Sequence, residues 1–370
     1  HVIMTEHALH FVGQATFEAL TGNRCLVDTF DRNHTFEVEH VSLAKQADLV
    51  IVAPATANVM AKLAHGLADD MLTTTILACT CPKLIAPAMN TRMYENPVTR
   101  DNEKTLIRYG WKVIEPASGR LACGDEGKGK FPDEHLILEY ILREIAFRKD
   151  LAGKKVLVTA GPTQESIDPV RYITNHSSGK MGYAIARMAM LRGACVTLVS
   201  GQTALPDVPF VKMVPIISAR DLFEEVTKRS EEQDMIIKAA AVADYRPAQI
   251  SDEKIKKADG DMRIDLERTE DTLKYLGEHK RKGQLLCGFA METSRLEERA
   301  KDKLAKKNLD LIAANNVKVE GAGFGTDTNV VTLIDKKNTE QLSLMSKEAV
   351  AGRILDRLLE LEDGSNEENI

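Results

Sequence analysis

Short runs of apolar residues alternate with longer stretches in which apolar positions recur every three or four residues. Continuous apolar runs are typical of strands buried in a parallel sheet, and the longer stretches are typical of the helices that cover such a sheet. In the first part of the chain this pattern predicts strands at 48–53 and 83–86 and helices near 56–66 and 97–109. We therefore expect an α/β domain with a doubly wound, mostly parallel sheet.

The same alternation returns after a polar break at 148–150, which follows a predicted helix near 134–147. Beyond the break, the pattern predicts strands near 154–160, 195–200, 234–239, 285–289 and 310–314, and helices near 180–192, 219–230, 270–280 and 294–307. A second doubly wound sheet is the natural expectation, because a chain of this length exceeds one ordinary core. We predict a first domain over 1–148 and a second over 149–362.

The end of the second domain has a different pattern. Apolar residues at 330–335, a polar turn at 336–338 and a second run at 341–344 predict an antiparallel hairpin. A helix is expected over about 346–362, and the acidic residues 363–370 are predicted to form a disordered tail.

Composition excludes several classes of protein. The 370 residues carry a formal net charge of −6, which implies no general affinity for nucleic acid or for an anionic membrane. The sequence contains neither an apolar run long enough to span a membrane nor a recognisable signal peptide. Its six cysteines are scattered without CxxC pairs, as expected for reduced thiols in a cytoplasmic protein.

Polar residues follow the predicted strands of the first domain, where parallel sheets place their ligand sites. Ala55 lets a planar or phosphorylated ligand approach the backbone, and Thr56 and Asn58 offer hydrogen bonds, although a simple helix cap is an alternative. Asn90 can hold a substrate carboxylate without adding charge, whereas Met93 could equally be a core residue.

Two more candidates are single residues of reactive type. Cys123 lies in a glycine-rich loop that could close over a ligand, so its thiol could donate a proton, or it could be a small buried hydrophobic residue. His40 stands at a helix start, where a structural histidine is the ordinary alternative.

The run PAMNTRMY at 87–94 resembles the PxMNxxMW signature of flavin-dependent cysteine decarboxylases. Together with APATAN at 53–58, His40 and ACGD at 122–125, it resembles the phosphopantothenoylcysteine decarboxylase family over about residues 1–133. The resemblance implies a Rossmann-like flavoprotein domain that binds FMN at Ala55, Thr56 and Asn58. The flavin would oxidise the substrate's cysteine thiol, carbon dioxide would leave, and the hydride would return. The implied roles are a base beside the flavin for His40, carboxylate binding for Asn90 and Met93, and proton donation for Cys123.

This sequence departs from that family in two places. Tyr94 stands where the signature has Trp, which keeps an aromatic side chain. The family's opening strand and Gly-rich turn, which help to bind the flavin phosphate, are absent from the sequence. The chain begins at His1, and we predict that Val2–Thr5 is a strand and that further chain precedes it.

The most informative run of the second domain is DPVRYITNHSSGKMG at 168–182. Its serines and glycines lead from a strand into an apolar helix, and the N–H groups at a helix start suit a phosphate or carboxylate. A serine N-cap alone would give no role to Arg171, Asn175, His176 and Lys180.

Basic residues that could neutralise a polyphosphate occur at useful spacing in this domain. Lys254 begins a KIKK strip, and Lys303 and Lys307 are four residues apart on one helix face, although surface lysines are commonly only solvated. At the strand ends, Asp244 could hydrogen-bond a base or sugar or assist a metal, and Phe289 could flank a base.

The motifs GPT, DPVRYITNHSSGKMG, AAVADYR, KIKK and GFAMET occur in the order found in the phosphopantothenate-cysteine ligase family, across residues 154–315. The resemblance implies that the 4'-phosphopantothenate carboxylate attacks the α-phosphate of CTP, and that cysteine's amine then displaces CMP from the acyl-cytidylate. Magnesium and lysines would offset the charge on the phosphates. The implied roles are acyl-cytidylate turnover for Asn175 with Arg171 in support, triphosphate binding for Lys254, and a CTP site lined by Lys238, Ala239, Ala240, Asp244, Asp271, Phe289, Lys303 and Lys307.

Joined in this order, the two domains resemble the bacterial bifunctional family that makes 4'-phosphopantetheine for coenzyme A. That resemblance implies a homo-oligomer, a dodecamer of decarboxylase trimers and ligase dimers. Two alternatives stay open on the residues alone: an ordinary nicotinamide- or flavin-dependent oxidoreductase, although no GxGxxG follows either leading strand, and a non-enzymatic flavin scaffold.

Overall fold

The computed structural model describes residues 1–30, 38–122, 124–256, 262–292, 296–316 and 325–367. The chain forms two compact units, His1–Phe147 and Arg148–Ile370. None of the helices in these described ranges is both long and apolar enough to cross a membrane.

The first unit contains a three-stranded parallel sheet in the order β1-β2-β3 and an antiparallel hairpin of β4 and β5. Its strands are β1 (Val50–Ala55), β2 (Lys83–Pro87), β3 (Lys112–Val113), β4 (Ala117–Arg120) and β5 (Glu126–Lys130). Its helices are α1 (Gln14–Thr21), α2 (Glu39–Gln46), α3 (Ala57–His65), α4 (Met71–Ala78), α5 (Thr91–Glu95), α6 (Pro97–Arg108) and α7 (Glu134–Ile145), preceded by a 3-10 helix at Glu6–His10. Apolar side chains of β1, β2, α3 and α6 form its core, including Met60, Ile85 and Leu106.

The second unit is built on an eight-stranded sheet in the order β10-β9-β6-β11-β14-β15-β17-β18. Its strands are β6 (Lys155–Ala160), β7 (Gln164–Ser166), β8 (Tyr172–Thr174), β9 (Cys195–Ser200), β10 (Lys212–Pro215), β11 (Met235–Lys238), β12 (Tyr245–Pro247), β13 (Leu266–Arg268), β14 (Leu285–Glu292), β15 (Leu311–Asn316), β16 (Thr328–Asn329), β17 (Val331–Asp335), β18 (Thr339–Gln341) and β19 (Met345–Ser346). Its helices are α8 (Lys180–Leu191), α9 (Ala219–Ser230), α10 (Thr272–Glu278), α11 (Leu296–Lys306) and α12 (Lys347–Glu367).

Six neighbouring strands of this sheet pair in parallel, in the order β10-β9-β6-β11-β14-β15, and β17 and β18 close the edge as an antiparallel hairpin. Central strands such as β6 and β11 are buried on both faces, which explains their continuous apolar sequences. The predicted α/β fold class, with two mostly parallel sheets and a late hairpin, is confirmed. The hairpin turn lies where predicted because Asp335 accepts hydrogen bonds from the N–H groups of Lys337 and Asn338.

Two local predictions are wrong. Val2–Thr5 is not a strand: Ile3 makes a single bridge to Leu26, and Thr5 then caps the 3-10 helix by accepting a hydrogen bond from Ala8 N–H. Residues 363–367 are not a disordered tail, because α12 continues to Glu367. A helix that is already packed extends at little cost per residue, and one exposed glycine at 364 does not end it.

Helix α8 packs close to β6, and we predict that Gly182→Ala destabilises the second unit by about 1–3 kcal/mol. A Cβ at Gly182 would lie 2.5 Å from Ala160 Cβ and 2.9 Å from Thr159 O, so α8 would have to move away from the sheet. Urea unfolding followed by circular dichroism measures this change. Gly352→Ala is the control, because its Cβ would meet nothing within 4 Å and should stabilise α12 by about 0.5–1 kcal/mol. Equal effects of the two substitutions would contradict the close packing.

Candidate functional site

A cavity of about 760 Å³ lies in the second unit, at the carboxyl ends of β11 and β14 and beside the first turn of α8. In a parallel sheet the strands end at one edge, so the residues that follow them share one site. Most of the ligase residues predicted from the sequence line this cavity: Asn175, Lys238, Ala239, Ala240, Asp244, Asp271, Phe289, Lys303 and Lys307. Arg171 and Lys254 lie outside its lining.

Asn175 is fixed over the end of β11 by its side chain. Its Nδ2 donates to the backbone carbonyls of Val242 (3.0 Å) and Ala241 (3.4 Å), and Thr174 Oγ1 donates to Thr163 O (2.7 Å). Four residues later, Gly179 takes a left-handed conformation with a φ of 76° and is the N-cap of α8. The turn between Asn175 and α8 therefore brings the Asn175 amide and the N–H groups of the first turn of α8 into the same cavity.

Three lysines and one carboxylate form a charged cluster in the cavity. Lys307 donates to both oxygens of Asp271 (2.8 and 3.1 Å), and Lys303 donates to Phe289 O (2.7 Å). Burial, followed by the charge of Lys303, lowers the pKa of Lys238 to about 8. Burial raises the pKa of Asp271, but hydrogen bonds from Lys307 and from Lys274 N–H outweigh it and lower that pKa overall. The excess of positive charge suits a polyanionic ligand.

Small residues and two flanking side chains complete this part of the cavity. Ala240 N–H donates to Thr159 Oγ1 (3.1 Å), which fixes the backbone at 239–240. Because both residues are alanines, a ligand can approach this backbone closely. Asp244 is exposed in the cavity wall, and its backbone carbonyl accepts from Thr269 N–H (3.1 Å). Half-buried Phe289 lies at the end of β14. Among the described residues, no group of three or more His, Cys, Asp or Glu side chains could hold a metal ion.

Arg171 and Lys254 are linked through Asp168. The buried Asp168 carboxylate accepts hydrogen bonds from Arg171 Nε (3.0 Å) and from Ile255 N–H (3.2 Å), and Arg171 also donates to Ile255 O (2.9 Å). The hydrogen bond from Arg171 holds the pKa of Asp168 well below its usual range. Arg171 therefore hydrogen-bonds the backbone of Ile255, the residue that follows Lys254, while Lys254 itself is exposed.

The sequence reasoning gave no role to several polar residues that line the cavity, among them two lysines and two asparagines. Lys180 belongs to the 168–182 motif but received no role, and Asn315, Asn329 and Lys347 were not considered. Asn315 could have been found, because it directly follows the apolar run predicted as a strand at 310–314. Lys347 gave no local signal, since it reaches the cavity only because α12 packs beside α8.

In the first unit the β4–β5 hairpin docks on the loop that carries Asn90. Met89 N–H donates to Gly129 O (3.0 Å), and Asn90 Nδ2 donates to Asp125 Oδ2 (3.1 Å). Asn90 Oδ1 also caps α5 by accepting from Arg92 N–H (2.9 Å). The hairpin therefore covers the Asn90 loop and holds its amide.

The other predicted residues of the first unit lie at several places. Thr56 and Asn58 are exposed at the end of β1, whereas the Ala55 side chain is in the core, so only its backbone is open to a ligand. Met93 is 50% exposed, which argues against a core role. His40 is half-buried in α2, which packs against α4. Cys123 lies outside the described residues.

Tyr94, by contrast, is buried, and the Arg100 guanidinium carbon lies 4.8 Å from its ring centroid. Burial, followed by the charge of Glu103, raises the pKa of its hydroxyl. Its ring therefore packs inside the unit.

Comparison with known proteins decides the family. The family described as "Flavoprotein" matches residues 1–146, and the "DNA/pantothenate metabolism flavoprotein C-terminal domain" matches residues 151–361. The coenzyme A biosynthesis bifunctional protein CoaBC of Bacillus subtilis (strain 168) is 48% identical over 371 residues, 99% of this chain and 91% of that protein. The chain belongs to the CoaBC family.

Other CoaBC proteins agree with this assignment. The CoaBC of Mycobacterium tuberculosis (strain ATCC 25618 / H37Rv) is 46% identical over 377 residues, covering 97% of this chain and 89% of that protein. The crystal structure of a CoaBC C-terminal domain matches with a TM-score of 0.50 and 47% identity, over 58% of this chain and 98% of that chain. The protein is thus a bifunctional enzyme of coenzyme A biosynthesis, with phosphopantothenoylcysteine decarboxylase and phosphopantothenate-cysteine ligase activities. The predicted family and activities are confirmed, and the oxidoreductase and scaffold alternatives are wrong.

The docking of the β4–β5 hairpin leads to a prediction for CoaBC. A Cβ at Gly129 would lie 2.2 Å from Met89 O, so Gly129→Ala should displace the hairpin and lower decarboxylase turnover by at least about tenfold. Hydrogen exchange at the Met89 amide, which donates to Gly129 O, should speed up in parallel.

Gly119→Ala is the matched control for this substitution. Both glycines have positive φ, 152° at Gly119 and 142° at Gly129, but the nearest atom to a Cβ at Gly119 is Lys130 Cδ at 3.9 Å. Both variants place an alanine at a positive φ, but only Gly129→Ala brings a Cβ into collision with Met89 O. Normal amide exchange at Met89 in Gly129→Ala would show that the docking is not needed.

Proposed function

We propose that the second unit joins 4'-phosphopantothenate to cysteine by means of CTP and an acyl-cytidylate. The observation that carries this proposal is the single cavity that holds Asn175, the start of α8 and the cluster of Lys238, Lys303 and Lys307. A carboxylate is a poor acyl donor, so its oxygen attacks the α-phosphorus of CTP and pyrophosphate leaves. The cysteine amine then attacks the acyl carbon, and CMP leaves with the electron pair of the broken C–O bond.

The lysine cluster would stabilise the charge that moves onto the leaving groups. Lys238, Lys303 and Lys307 bring more positive charge than Asp271 neutralises, and Lys238 is desolvated, which strengthens its attraction to a phosphate. Phe289 and the open backbone of 239–240 leave room for a base and ribose. Asn175, anchored on the carbonyls of Ala241 and Val242, would orient the acyl group.

Magnesium fits this cavity in one particular way. The described residues offer no cage of three ligands, but Mg²⁺ is commonly held by one or two carboxylates together with substrate phosphates and waters. Lys307 pairs with Asp271, whereas exposed Asp244 lies in the cavity wall and would be the protein ligand. The metal would supply charge neutralisation of the triphosphate.

Arg171 and Lys254 would act as a pair. Arg171 and Asp168 hold both the N–H and the C=O of Ile255, which fixes the backbone from which Lys254 extends toward the triphosphate. We therefore infer that Arg171 supports acyl-cytidylate turnover by positioning Lys254.

The first unit would bind FMN and decarboxylate the ligase product. Exposed Thr56 and Asn58, at the end of β1 and the start of α3, fit a phosphorylated planar ligand. FMN, when bound, takes up and returns the hydride. Asn90 Nδ2 now donates to the Asp125 carboxylate, so the substrate carboxylate would take the place of Asp125 with Met93 beside it. His40 would act as the base, and Cys123, two residues before Asp125 in the sequence, would donate the final proton.

We also propose the assembly that the family resemblance implies, a dodecamer of decarboxylase trimers and ligase dimers. Exposed apolar side chains support it in each unit: Phe11 and Leu20 in the first, and Tyr172, Tyr245 and Leu266 on the small hairpins of the second. Burial of these side chains against another subunit would remove apolar surface from water. That the enzyme works in the cytoplasm stays a prediction.

The test of the ligase proposal is Asn175→Asp. The new carboxylate would face the carbonyl oxygens of Ala241 and Val242, which now accept from Asn175, so the turn loses its anchor. We expect amide formation from CTP, 4'-phosphopantothenate and cysteine to fall by at least about 10²-fold, with decarboxylation unchanged.

Asn96→Asp is the control, because Asn96 caps α6 in the first unit and aspartate caps as well as asparagine. Pyrophosphate release and carbon dioxide release measure the two activities separately. Equal loss of both activities in Asn175→Asp would point to misfolding, and full ligase activity would refute the assigned role.

The pKa of Lys238 predicts a pH dependence for nucleotide binding. With a pKa of about 8 the ammonium is charged below that pH and neutral above it, whereas a bound triphosphate favours the charged form. The Kd for CTP should therefore rise above about pH 8 by up to tenfold per pH unit. Calorimetric titration from about pH 7 to pH 9.5 measures it, and Lys238→Met should flatten the profile. A wild-type Kd that does not change across this range would contradict the assignment.

A further inference from the structure

Two lysines stand at the first positions of two neighbouring helices. Lys180 begins α8, Lys347 begins α12, these helices pack against each other, and both lysines line the cavity. The N-terminus of a helix carries partial positive charge, so a cation there is disfavoured. Neither lysine is at a position that helix formation would select.

Lys347 is a buried cation that lies close to a second cation, Lys180. Its side chain is buried, with the residue 6% exposed, and its ammonium donates to the carbonyl of Thr326. Burial, followed by the charge of Lys180, lowers the pKa of Lys347.

Carboxylates near this pair are few in the described part of the chain. Asp327 opposes the pair, but its side chain is almost fully exposed and it pairs with Lys180 (2.7 Å), which also donates to Gly325 O (3.0 Å). Glu348, next to Lys347, is paired instead with Arg187 of α8 (3.0 Å).

A buried polar side chain in the same cavity points to a ligand. Asn315 is 7% exposed, and among the described residues its Oδ1 has no hydrogen-bond partner. Leaving such an oxygen buried and unpaired costs about 1–3 kcal/mol. Asn315 lines the cavity with Lys180 and Lys347, so a hydroxyl group carried next to a phosphate would satisfy it.

We propose that Lys180 and Lys347, with Asn315 beside them, bind a phosphate group of one ligase substrate. An anion with an adjacent hydroxyl group would attract both ammonium groups, and its hydroxyl would donate a hydrogen bond to the unpaired Asn315 Oδ1. This pair is a cluster separate from Lys238, Lys303 and Lys307, whose carboxylate neighbours are Asp271 and Asp244. The inference rests on the proposed function, which supplies two sources of phosphate: the polyphosphate of the nucleotide and the phosphomonoester of 4'-phosphopantothenate.

The test uses the full chain and the variants Lys180→Met and Lys347→Met. Calorimetry measures the Kd of inorganic pyrophosphate and, separately, of 4'-phosphopantothenate. We expect both variants to bind one of the two probes at least about tenfold more weakly than the wild type. Lys282→Met is the control, because Lys282 is exposed in a turn away from the cavity lining, and its binding should not change.

The two probes identify the source of the phosphate. Weaker pyrophosphate binding together with a raised KM for CTP assigns the pair to the nucleotide. Weaker 4'-phosphopantothenate binding with an unchanged KM for CTP assigns it to the other substrate. Unchanged binding of both probes in both variants would overturn the proposal.

Thermal unfolding separates binding from a purely structural role. If the pair serves a ligand, Lys347→Met removes a buried repulsion, so the Tm without ligand should stay or rise and the Tm shift caused by the ligand should shrink. A lower Tm with an unchanged ligand shift would mean that Lys347 only ties α12 to Thr326, which also overturns the proposal. If Lys347→Met does not fold, the binding measurements on Lys180→Met test the proposal. Lys347→Arg should retain binding, because it keeps the positive charge.

The wild-type protein distinguishes this inference from the proposed function. If it releases no pyrophosphate from CTP in the presence of both other substrates, the proposed function fails, while the direct titrations still test the lysine pair. If it forms the amide but the variants bind both probes normally, only the lysine pair is wrong.

Discussion

The ligase cavity depends on hydrogen bonds that continue beyond the paired ends of β6 and β11. Ala241 N–H donates to Gly161 O (2.9 Å), and Thr163 N–H donates back to Ala241 O (3.3 Å). This extension holds the backbone of 239–243 against the loop after β6, so Asn175 can rest on the carbonyls of Ala241 and Val242. Lys238 ends the same strand, and its side chain lines the same cavity as Asn175. The position of Asn175 therefore depends on backbone hydrogen bonds between the segments 161–163 and 239–243. The small side chains at 239–241 permit this close approach.

The first unit reaches a comparable result by a different contact. There the Asn90 loop follows β2, and a glycine-rich hairpin closes over it through the hydrogen bond between Met89 and Gly129. A side chain at Gly129 would prevent that approach, whereas a side chain at Gly119 would not. In both units an asparagine lies beyond the carboxyl end of a buried parallel strand: Asn90 follows β2, and Asn175 rests on the backbone that follows β11. Asn175 is fixed by backbone carbonyls, and Asn90 is held by the Asp125 carboxylate.

The sequence predicts those helices and strands that have a clear pattern of apolar residues because one or both of their faces are buried. The prediction fails for strands that are short or largely exposed. The central strands and α8 were predictable because continuous apolar runs and a helical period mark them. Strands β7, β8, β12 and β13 have only three residues each, and β8 and β13 are largely exposed, so no such pattern distinguishes them. Motif similarity found many residues of the cavity, but not Lys347 or the contact of Arg171 with Ile255. Those depend on which helices and turns become neighbours, and spacing along the chain carries no record of that.

The clasp of Asp168 and Arg171 on Ile255 has a mechanical consequence. The turn that supplies Arg171 continues through β8 directly into Asn175, so the amide and the loop of Lys254 are attached to one short hairpin. A shift of that hairpin would carry both groups away together, and neither could be withdrawn while the other stayed in place. Activation of the acid and its transfer to the amine would then be switched on and off as a single event.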